Sequence, residues 1–260
     1  MIIATWNINS IRARIDTAVA WVKEANPDVL CLQEIKCETA SFPASTFEDL
    51  GYNVSVHGQK SYNGVAILSK AKPEDIRCGL PGDDSESPAR YIEALIPAGS
   101  GMVRVASIYL PNGNPAGTEK YAYKLNWMDR LTAHAGELLE LEEALILAGD
   151  YNVIPKSLDA KFPENWVTDA LFLPETKAKF RTLLNLGFTD AVRAIMADQP
   201  GIYSFWDYQA GAWQRNNGIR IDHLLLSPQA ADRLKTARID AHVRGWEKPS
   251  DHVPVAIDLA

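Results

Sequence analysis

Six short apolar runs in this 260-residue chain carry a carboxylate, a carboxamide or an imidazole at one end. "IATWNIN" ends at Asn7 and Asn9, and "DVLCLQE" at Gln33 and Glu34. "VASIYLPNG" ends at Tyr109 and Asn112, and "LILAGDYN" at Asp150 and Asn152. "RIDHLLLS" has Asp222 near its start, and Asp251 and His252 stand directly before the final run, "VPVAIDLA". A charge at the rim of an apolar strand loses hydration unless a partner compensates it. One such residue means little, because Asn and Asp are common turn formers. Six strands sharing the feature point to convergence on one site. Oxygen donors without a Cys/His cluster favour a hard ion, Mg2+ or Mn2+, over zinc. Such an ion neutralises phosphoryl oxygens and acidifies water in phosphate-ester hydrolysis. The reaction also needs a base for the water and donors for the oxyanion, which Asp150, His252, Asn152 and Tyr109 can supply. No Gly-rich phosphate loop and no Gly-x-Ser-x-Gly elbow offers a competing chemistry.

Strands have to bring these residues to a common edge. Strand-like runs recur at 2–6, 29–33, 53–56, 64–68, 91–96, 103–109, 144–148, 221–226, 238–243 and 253–259. In the last, Val253, Val255, Ile257 and Leu259 alternate with other residues at period two. Ile11, Ile15, Val19 and Val22 share one face of a helix stopped by "NPD" at 26–28, and further helices are expected over about 118–143 and 175–186. Some strands alternate with helices while others follow one another, which favours an α+β fold of packed sheets with helices on their outer faces. "IATWNIN" and "ILAGDYN" are both apolar strands ending in polar-x-Asn, 143 residues apart. Two similar halves packed sheet on sheet would bring those two strand ends to the same edge.

No linker, charge block or low-complexity segment divides the chain, so one domain over 1–260 is expected. The composition, 47% hydrophobic and 23% charged, is that of a globular protein with a full core. A formal charge of −7 argues against a non-specific DNA coat protein but leaves room for a local basic face. Acidic residues cluster in "ELLELEE" (137–143) and "DDSE" (83–86), whereas Arg12, Arg14, Lys60, Lys156, Lys161, Arg215, Arg220 and Lys248 punctuate the loops. Cys31, Cys37 and Cys78 are too scattered for a disulfide framework or a zinc site, and Cys31 reads as a core residue. The N-terminus has neither a basic n-region nor a long apolar stretch, so a cytoplasmic protein with no membrane association is the expectation.

Taken together, "NIN", "LQE", "YLPNG", "GDYNV", "GIRIDHLLLS" and "EKPSDHVPV" resemble the endonuclease/exonuclease/phosphatase superfamily, and within it the exonuclease III type of apurinic/apyrimidinic endonuclease. The similarity runs in order from Ile3 to Val255. It implies a four-layer αββα sandwich of the deoxyribonuclease I type and dependence on Mg2+, with Mn2+ as a substitute. It also implies a monomer acting on double-stranded DNA with abasic sites or damaged 3′ ends, by cleavage 5′ to abasic sites and by 3′-to-5′ exonuclease and 3′-end-cleaning activities. By resemblance, Glu34 is the principal metal carboxylate, with Asn7 and Asp251 beside it. Asp150 orients or deprotonates the attacking water, and Asn152 contacts the scissile phosphate and approaches the metal. His252 belongs to the phosphate site, near enough to the ion to count among its candidate ligands with Asp150 and Asn152, and Asp222 is its carboxylate partner. Tyr109 and Asn112 lie near the phosphate. Phe205 and Trp206 in "YSFWDY" correspond to the wall against which an abasic sugar is flipped. Arg90, Lys248 and the "SYNG" loop at 61–64 are backbone contacts.

Two features depart from the family pattern. Ile219 stands where some relatives carry an aromatic, which predicts a wider pocket, and 153–173 matches only loosely and is expected to touch DNA. Asp222 lies in an otherwise apolar strand, so it should be buried and need a partner, and His252 is the best one available. His223 points to the opposite strand face and reads as packing. His57, His134 and His242 have no motif around them. Two other functions remain as alternatives: a superfamily phosphodiesterase or phosphatase acting on RNA or lipid headgroups, and a non-catalytic regulator that binds nucleic acid. The second should show broken ligand positions, and here each is filled.

Overall fold

Period-two alternation along the strands divides their side chains between one central and two outer cores. A computed structural model describes residues 1–83, 87–99 and 101–260, so most of the acidic run at 83–86 lies outside the described residues. The first sheet places β11 (Leu234–Ile239), β12 (Val255–Leu259), β1 (Ile2–Asn7), β2 (Val29–Gln33), β4 (Val65–Ser69) and β3 (Asn53–His57) side by side. The second contains β5 (Glu74–Cys78), β6 (Tyr91–Ala98), β7 (Gly101–Tyr109), β8 (Ala144–Asp150), β10 (Asp222–Leu226) and β9 (Thr189–Asp190). Ile3, Cys31 and Ile67 of one sheet meet Val105, Ile146 and Leu224 of the other in the central core. Outside the first sheet lie α1 (Ile15–Ala25) and α2 (Ala44–Glu48), anchored by Trp21 and Phe47. Outside the second lie α3 (Glu119–Leu139) and α4 (Pro174–Leu184), anchored by Trp127, Leu131 and Phe180. Short helices α5 (Ala191–Met196) and α6 (Pro228–Ala231) add Val192 and Ala230 to the central core. The result is the expected α+β sandwich with layers in the order αββα.

The half-chain similarity has a structural counterpart. β1 lies between parallel β2 and antiparallel β12, and β8 lies between parallel β7 and antiparallel β10. The two strands therefore occupy equivalent places in facing sheets. On the inner faces Ile3–Thr5–Asn7, Val105–Ser107–Tyr109, Ile146–Ala148–Asp150 and Leu226–Leu224–Asp222 all run from apolar to polar toward the same edge. Register aligns Tyr109 with Asp150 and Asp150 with Asp222 across three adjacent strands. Below them the Thr5 hydroxyl donates to Gln33 Oε1 at 3.2 Å, and Gln33 Nε2 donates to Ser107 Oγ at 3.0 Å. This layer satisfies the buried polar groups between the hydrocarbon core and the ionisable edge. β7 and β8 can close up only because residue 149 is glycine: a Cβ there would stand 2.0 Å from the Ile108 carbonyl oxygen.

The structure departs from the expected elements in three places. The strand expected at 238–243 is β11 at 234–239, because the chain turns at Asp240, whose carboxylate accepts from Trp21 Nε1, into a 3-10 turn over 241–245. β5 was not expected: it is an edge strand with all five residues exposed, so it has no burial alternation to read. Arg220 is fully buried rather than a loop cation. Among the described residues, no helix is long and apolar enough to cross a membrane.

His223 faces the outer layer, against Tyr151 and Phe180. Its Nε2 donates to the Val153 carbonyl at 3.0 Å, and its Nδ1 accepts from Arg220 at 2.9 Å, which requires a neutral ring. Burial first, and then the Arg220 cation, hold its pKa down to about 4. The unfolded chain, with a histidine pKa of about 6.5, binds more protons below that pH than the folded chain does. Stability contributed by the neutral ring is complete above about 6.5 and falls as the pH drops toward about 4. Urea unfolding should therefore show wild type losing ~2 kcal/mol more than His223→Gln between about pH 7.5 and about pH 5. Equal losses in the two proteins would contradict a neutral buried His223.

Candidate active site

The two sheets meet chemically at Asn7. Its Nδ2 donates to Glu34 Oε1 and to Asp150 Oδ2, each at 2.9 Å, joining a carboxylate of the first sheet's edge to one of the second. Its Oδ1 accepts from the Asn9 backbone N–H at 3.1 Å. Asn7 thus orients two carboxylates through its amide nitrogen, while its Oδ1 accepts one hydrogen bond. Past the strand ends the backbone turns left-handed, with φ of +46° at Asn9, +49° at Glu34 and +48° at Asn152. Such conformations are costly away from glycine and concentrate at functional sites.

Asp150 is buried, and its carboxylate is held from several sides. Oδ1 accepts from the Asn152 N–H at 2.9 Å, Oδ2 accepts from Asn7, and His252 Nε2 lies 3.7 Å away. His252 Nδ1 bonds to Asp222 Oδ2 at 2.8 Å, while Asp222 Oδ1 is buried without a hydrogen-bond partner. Phe205 packs edge-on against the imidazole, with ring centroids 5.0 Å apart. Burial pushes the Asp150 carboxyl up to about 7, against the pull of the His252 cation. Burial opposes charge on His252, but Asp222 and then Asp150 outweigh it and raise its pKa to about 10. Near neutral pH His252 is therefore a hydrogen-bond-donating cation, and Asp150 is poised to exchange a proton. Burial and the neighbouring Glu34 and Asp150 charges hold Tyr109 well above the ordinary phenol value, so it too is a donor.

These groups open on a cleft of about 230 Å³ whose lining includes Glu34, Tyr109, Asp150, Asn152, Asp251 and His252. Asn112 is at its rim, where its Nδ2 donates to Asn152 Oδ1 at 3.1 Å. Phe205 forms part of the apolar wall with Ile219, Trp166 and Leu171, the last two from the 153–173 segment. Trp206 does not belong to that wall. It is buried against Trp213 in a separate core, with Nε1 donating to Asn216 Oδ1 at 3.1 Å, because neighbouring residues of an extended segment point opposite ways. Arg90 stacks on the Tyr109 ring at 4.7 Å and lines an adjoining groove with Asn112 and Tyr123. Lys248 lines a different groove, with Arg12 and Arg14.

Lys36 and Lys124 have no place in the sequence reading, and Asn9 appears there only as a strand-end carboxamide without a role. Asn9 Nδ2 donates to Asp251 Oδ1 at 3.1 Å, and Lys36 Nζ lies 2.9 Å from Glu34 Oε2 and 2.5 Å from Asn9 Oδ1. Both residues sit two positions beyond a recognised one, in "NIN" and "EIK". Lys124 of α3 is buried, and its Nζ donates to the carbonyls of Asn112 at 3.0 Å and Asn152 at 2.6 Å, tying the loops after β7 and β8 together. Its signal was a lysine within the apolar stripe of Tyr121, Trp127, Met128 and Leu131.

Two oxygen clusters could hold a divalent cation. Asp150, Asp222 and His252 offer ligand atoms within 4.8 Å of one another, a buried triad capable of coordination. At the other, Lys36 Nζ already shows a cation seated between oxygens of Glu34 and Asn9, with Asp251 next to Asn9. Burial would raise the Glu34 carboxyl, yet Lys36, the Asn7 amide and His252 together hold it below its ordinary value and keep it anionic. A protonated imidazole has no lone pair to give. The set around Glu34 offers oxygen donors alone, the kind a hard cation takes, whereas the triad includes an imidazole nitrogen.

The imidazolium reading can be checked directly. In ¹⁵N-histidine NMR, the His252 ring should titrate near pH 10 rather than near 6.5, and Asp222→Asn should move it back toward the ordinary value. A His252 ring that is neutral at pH 8 in the wild-type protein would remove its role as a cationic donor.

Comparison with known proteins agrees with this geometry. Residues 4–252 match the Endonuclease/Exonuclease/phosphatase family. The chain is 34% identical to an exodeoxyribonuclease III of Haemophilus influenzae over 258 residues, covering 96% of this chain and 97% of that protein. It superposes on a 3′ phosphatase from Neisseria, solved with a product DNA hairpin, with TM-score 0.95, 36% identity and coverage of 100% and 99% of the two chains. An AP endonuclease from Archaeoglobus fulgidus gives TM-score 0.94 and 37% identity at the same coverage. The chain belongs to the endonuclease/exonuclease/phosphatase family, as a member of its exonuclease III and AP endonuclease type.

Proposed function

We propose that the protein is a Mg2+-dependent DNA-repair hydrolase that cleaves phosphodiester bonds 5′ to abasic sites and cleans damaged 3′ ends. The observation that carries this is Asp150, a buried carboxyl near neutrality that opens on the same cleft as the donors Tyr109, Asn152 and His252. Family membership and the activities named for its relatives support the DNA substrate. Every catalytic position is filled, and Asp150, Asn152, Asp222 and His252 are hydrogen-bonded, which disfavours a non-catalytic regulator.

In this reading Asp150 takes a proton from the attacking water as its oxygen bonds to phosphorus, and the P–O3′ bond breaks with its electron pair leaving on the 3′ oxygen. Asn152 has one amide hydrogen on the Leu110 carbonyl at 2.9 Å and the other free for a phosphoryl oxygen. Tyr109 and cationic His252 donate to the same oxygens as negative charge grows. Asp222 fixes the imidazole and keeps it protonated. A divalent ion on Glu34, Asn9 and Asp251 would neutralise phosphoryl charge in a site that otherwise sets four carboxylates (Glu34, Asp150, Asp222, Asp251) against Lys36 and His252.

With a duplex carrying one abasic analogue, Mg2+ should be required for cleavage. Asp150→Asn should lower kcat about 10²- to 10⁴-fold with little change in substrate affinity, since a carboxamide accepts no proton. His252→Ala and Asp222→Ala should each be severe, and the double variant little worse than the worse single one. Additive losses would dissolve the pair, and wild-type turnover in Asp150→Asn would sink the mechanism.

A further inference from the structure

Away from the catalytic groups, five ionisable side chains form a second buried cluster. The Arg220 side chain is only 1% exposed, and its Nε donates to Asp159 Oδ1 at 2.7 Å. One terminal nitrogen donates to Asp190 Oδ2 at 2.9 Å and to His223 Nδ1 at 2.9 Å. Arg193 also donates to Asp159 Oδ1, and Asp190 caps the α5 N-terminus by accepting from the Arg193 N–H. Buried ion clusters are weak sources of stability, because desolvation offsets the attraction, but they fix geometry. A guanidinium fork bonded to two carboxylates permits few arrangements.

The geometry being fixed is that of the cleft wall. Backbone bonds from the Arg220 N–H to the Asp159 carbonyl (2.8 Å) and from the Lys161 N–H to the Gly218 carbonyl (3.0 Å) fasten the 153–173 segment to residues 218–220. Ile219 exchanges backbone bonds with Phe205, at 3.0 Å in each direction. The strip 218–221 is thus a hinge plate between the two parts of the wall, Phe205 on one side and Trp166 and Leu171 on the other. Arg220 lies between Ile219 and Ile221, which line the cleft, and its own side chain runs the other way into the ion cluster.

We propose that Arg220, clamped by Asp159 and Asp190, is a positioning residue that sets the apolar wall beside the catalytic groups and so determines whether a sugar beyond the scissile phosphate is accepted. The inference rests on the proposed DNA hydrolysis and adds its specificity determinant. An internal abasic site and a 3′-phosphate end present the same P–O3′ bond to the catalytic groups. They differ in what remains on phosphorus: a deoxyribose with downstream strand in one, nothing in the other. Only the first needs the wall.

The test is the ratio of kcat/KM on a duplex with an internal abasic analogue to kcat/KM on a duplex with a 3′-phosphate end. Loss of folded enzyme scales both alike and leaves the ratio unmoved. Asp159→Asn and Arg220→Lys should lower the ratio at least about tenfold, mainly through KM on the abasic duplex, while the 3′-phosphate reaction stays within about threefold of wild type. Should Arg220→Lys fail to fold, Asp159→Asn and Arg193→Gln carry the measurement. An unchanged ratio, with both reactions falling in parallel or neither falling, overturns the proposal. So does a wild-type enzyme that opens only the 3′-phosphate, since its pocket then admits no sugar. A wild-type enzyme inactive on both duplexes takes down the proposed function and this inference with it.

Discussion

The amide of Asn7 holds together two carboxylates that would otherwise repel each other across the seam between the sheets. Glu34 ends the inner edge of one sheet and Asp150 that of the other, and each accepts one of the two Asn7 N–H bonds. Like charges brought close in a partly desolvated seam raise one another's pKa, so a neutral double donor is the economical spacer. Its N–H bonds favour the anion at both ends: Glu34 stays anionic beside Lys36, while burial, opposed by His252 and Asn7, raises the Asp150 carboxyl to about 7. In the proposed mechanism this one side chain separates a cation-holding half of the site from a proton-transferring half while keeping them in contact. The rest of the fold serves to deliver Asn7 to that point. Period-two packing brings Ile3 and Thr5 in beneath it, and the Thr5–Gln33–Ser107 chain grades the interior from hydrocarbon to charge.

Electrostatics divides the labour among the remaining groups. His252 is held cationic by Asp222 and Asp150 despite its burial, and Tyr109 is held protonated by burial and by the carboxylates around it. Both line the cleft, where the proposed mechanism uses them as donors to growing negative charge. Lys124 adds support by fastening the carbonyls of Asn112 and Asn152, which ties the loops after β7 and β8 to each other.

Much of this was legible in the sequence because the inner-face alternation ends where the chemistry begins. Asn7, Tyr109 and Asp150 occupy the last inner position of a strand and Asp222 the first of its own, and a polar residue at such a position is conspicuous. The pairing of Asp222 with His252 could be argued from the need of a buried carboxylate for a partner, and the bond is there. Beyond strand ends the same logic fails. Lys36 reaches the site through a left-handed turn that carries no periodic signature, and Asn9, conspicuous at its strand end, gives no sign in the sequence of the partners it meets. Phe205 and Trp206 are adjacent aromatics of which one faces the cleft and the other a core, and composition gives no phase to choose between them. Arg220 looked like a loop cation because its partners, Asp159 and Asp190, lie 61 and 30 residues away. The edge strand β5 is exposed at every position and left no pattern at all.

The central claim is that the cation-holding half and the proton-transferring half are distinct. Mn2+ binding followed by electron paramagnetic resonance, in the protein without DNA, tests it most directly by comparing Glu34→Ala with Asp222→Asn. The account predicts that Glu34→Ala weakens Mn2+ binding about tenfold or more while Asp222→Asn leaves it within about twofold. The reverse order would put the ion in the triangle of Asp150, Asp222 and His252 and contradict the division of the site that Asn7 maintains.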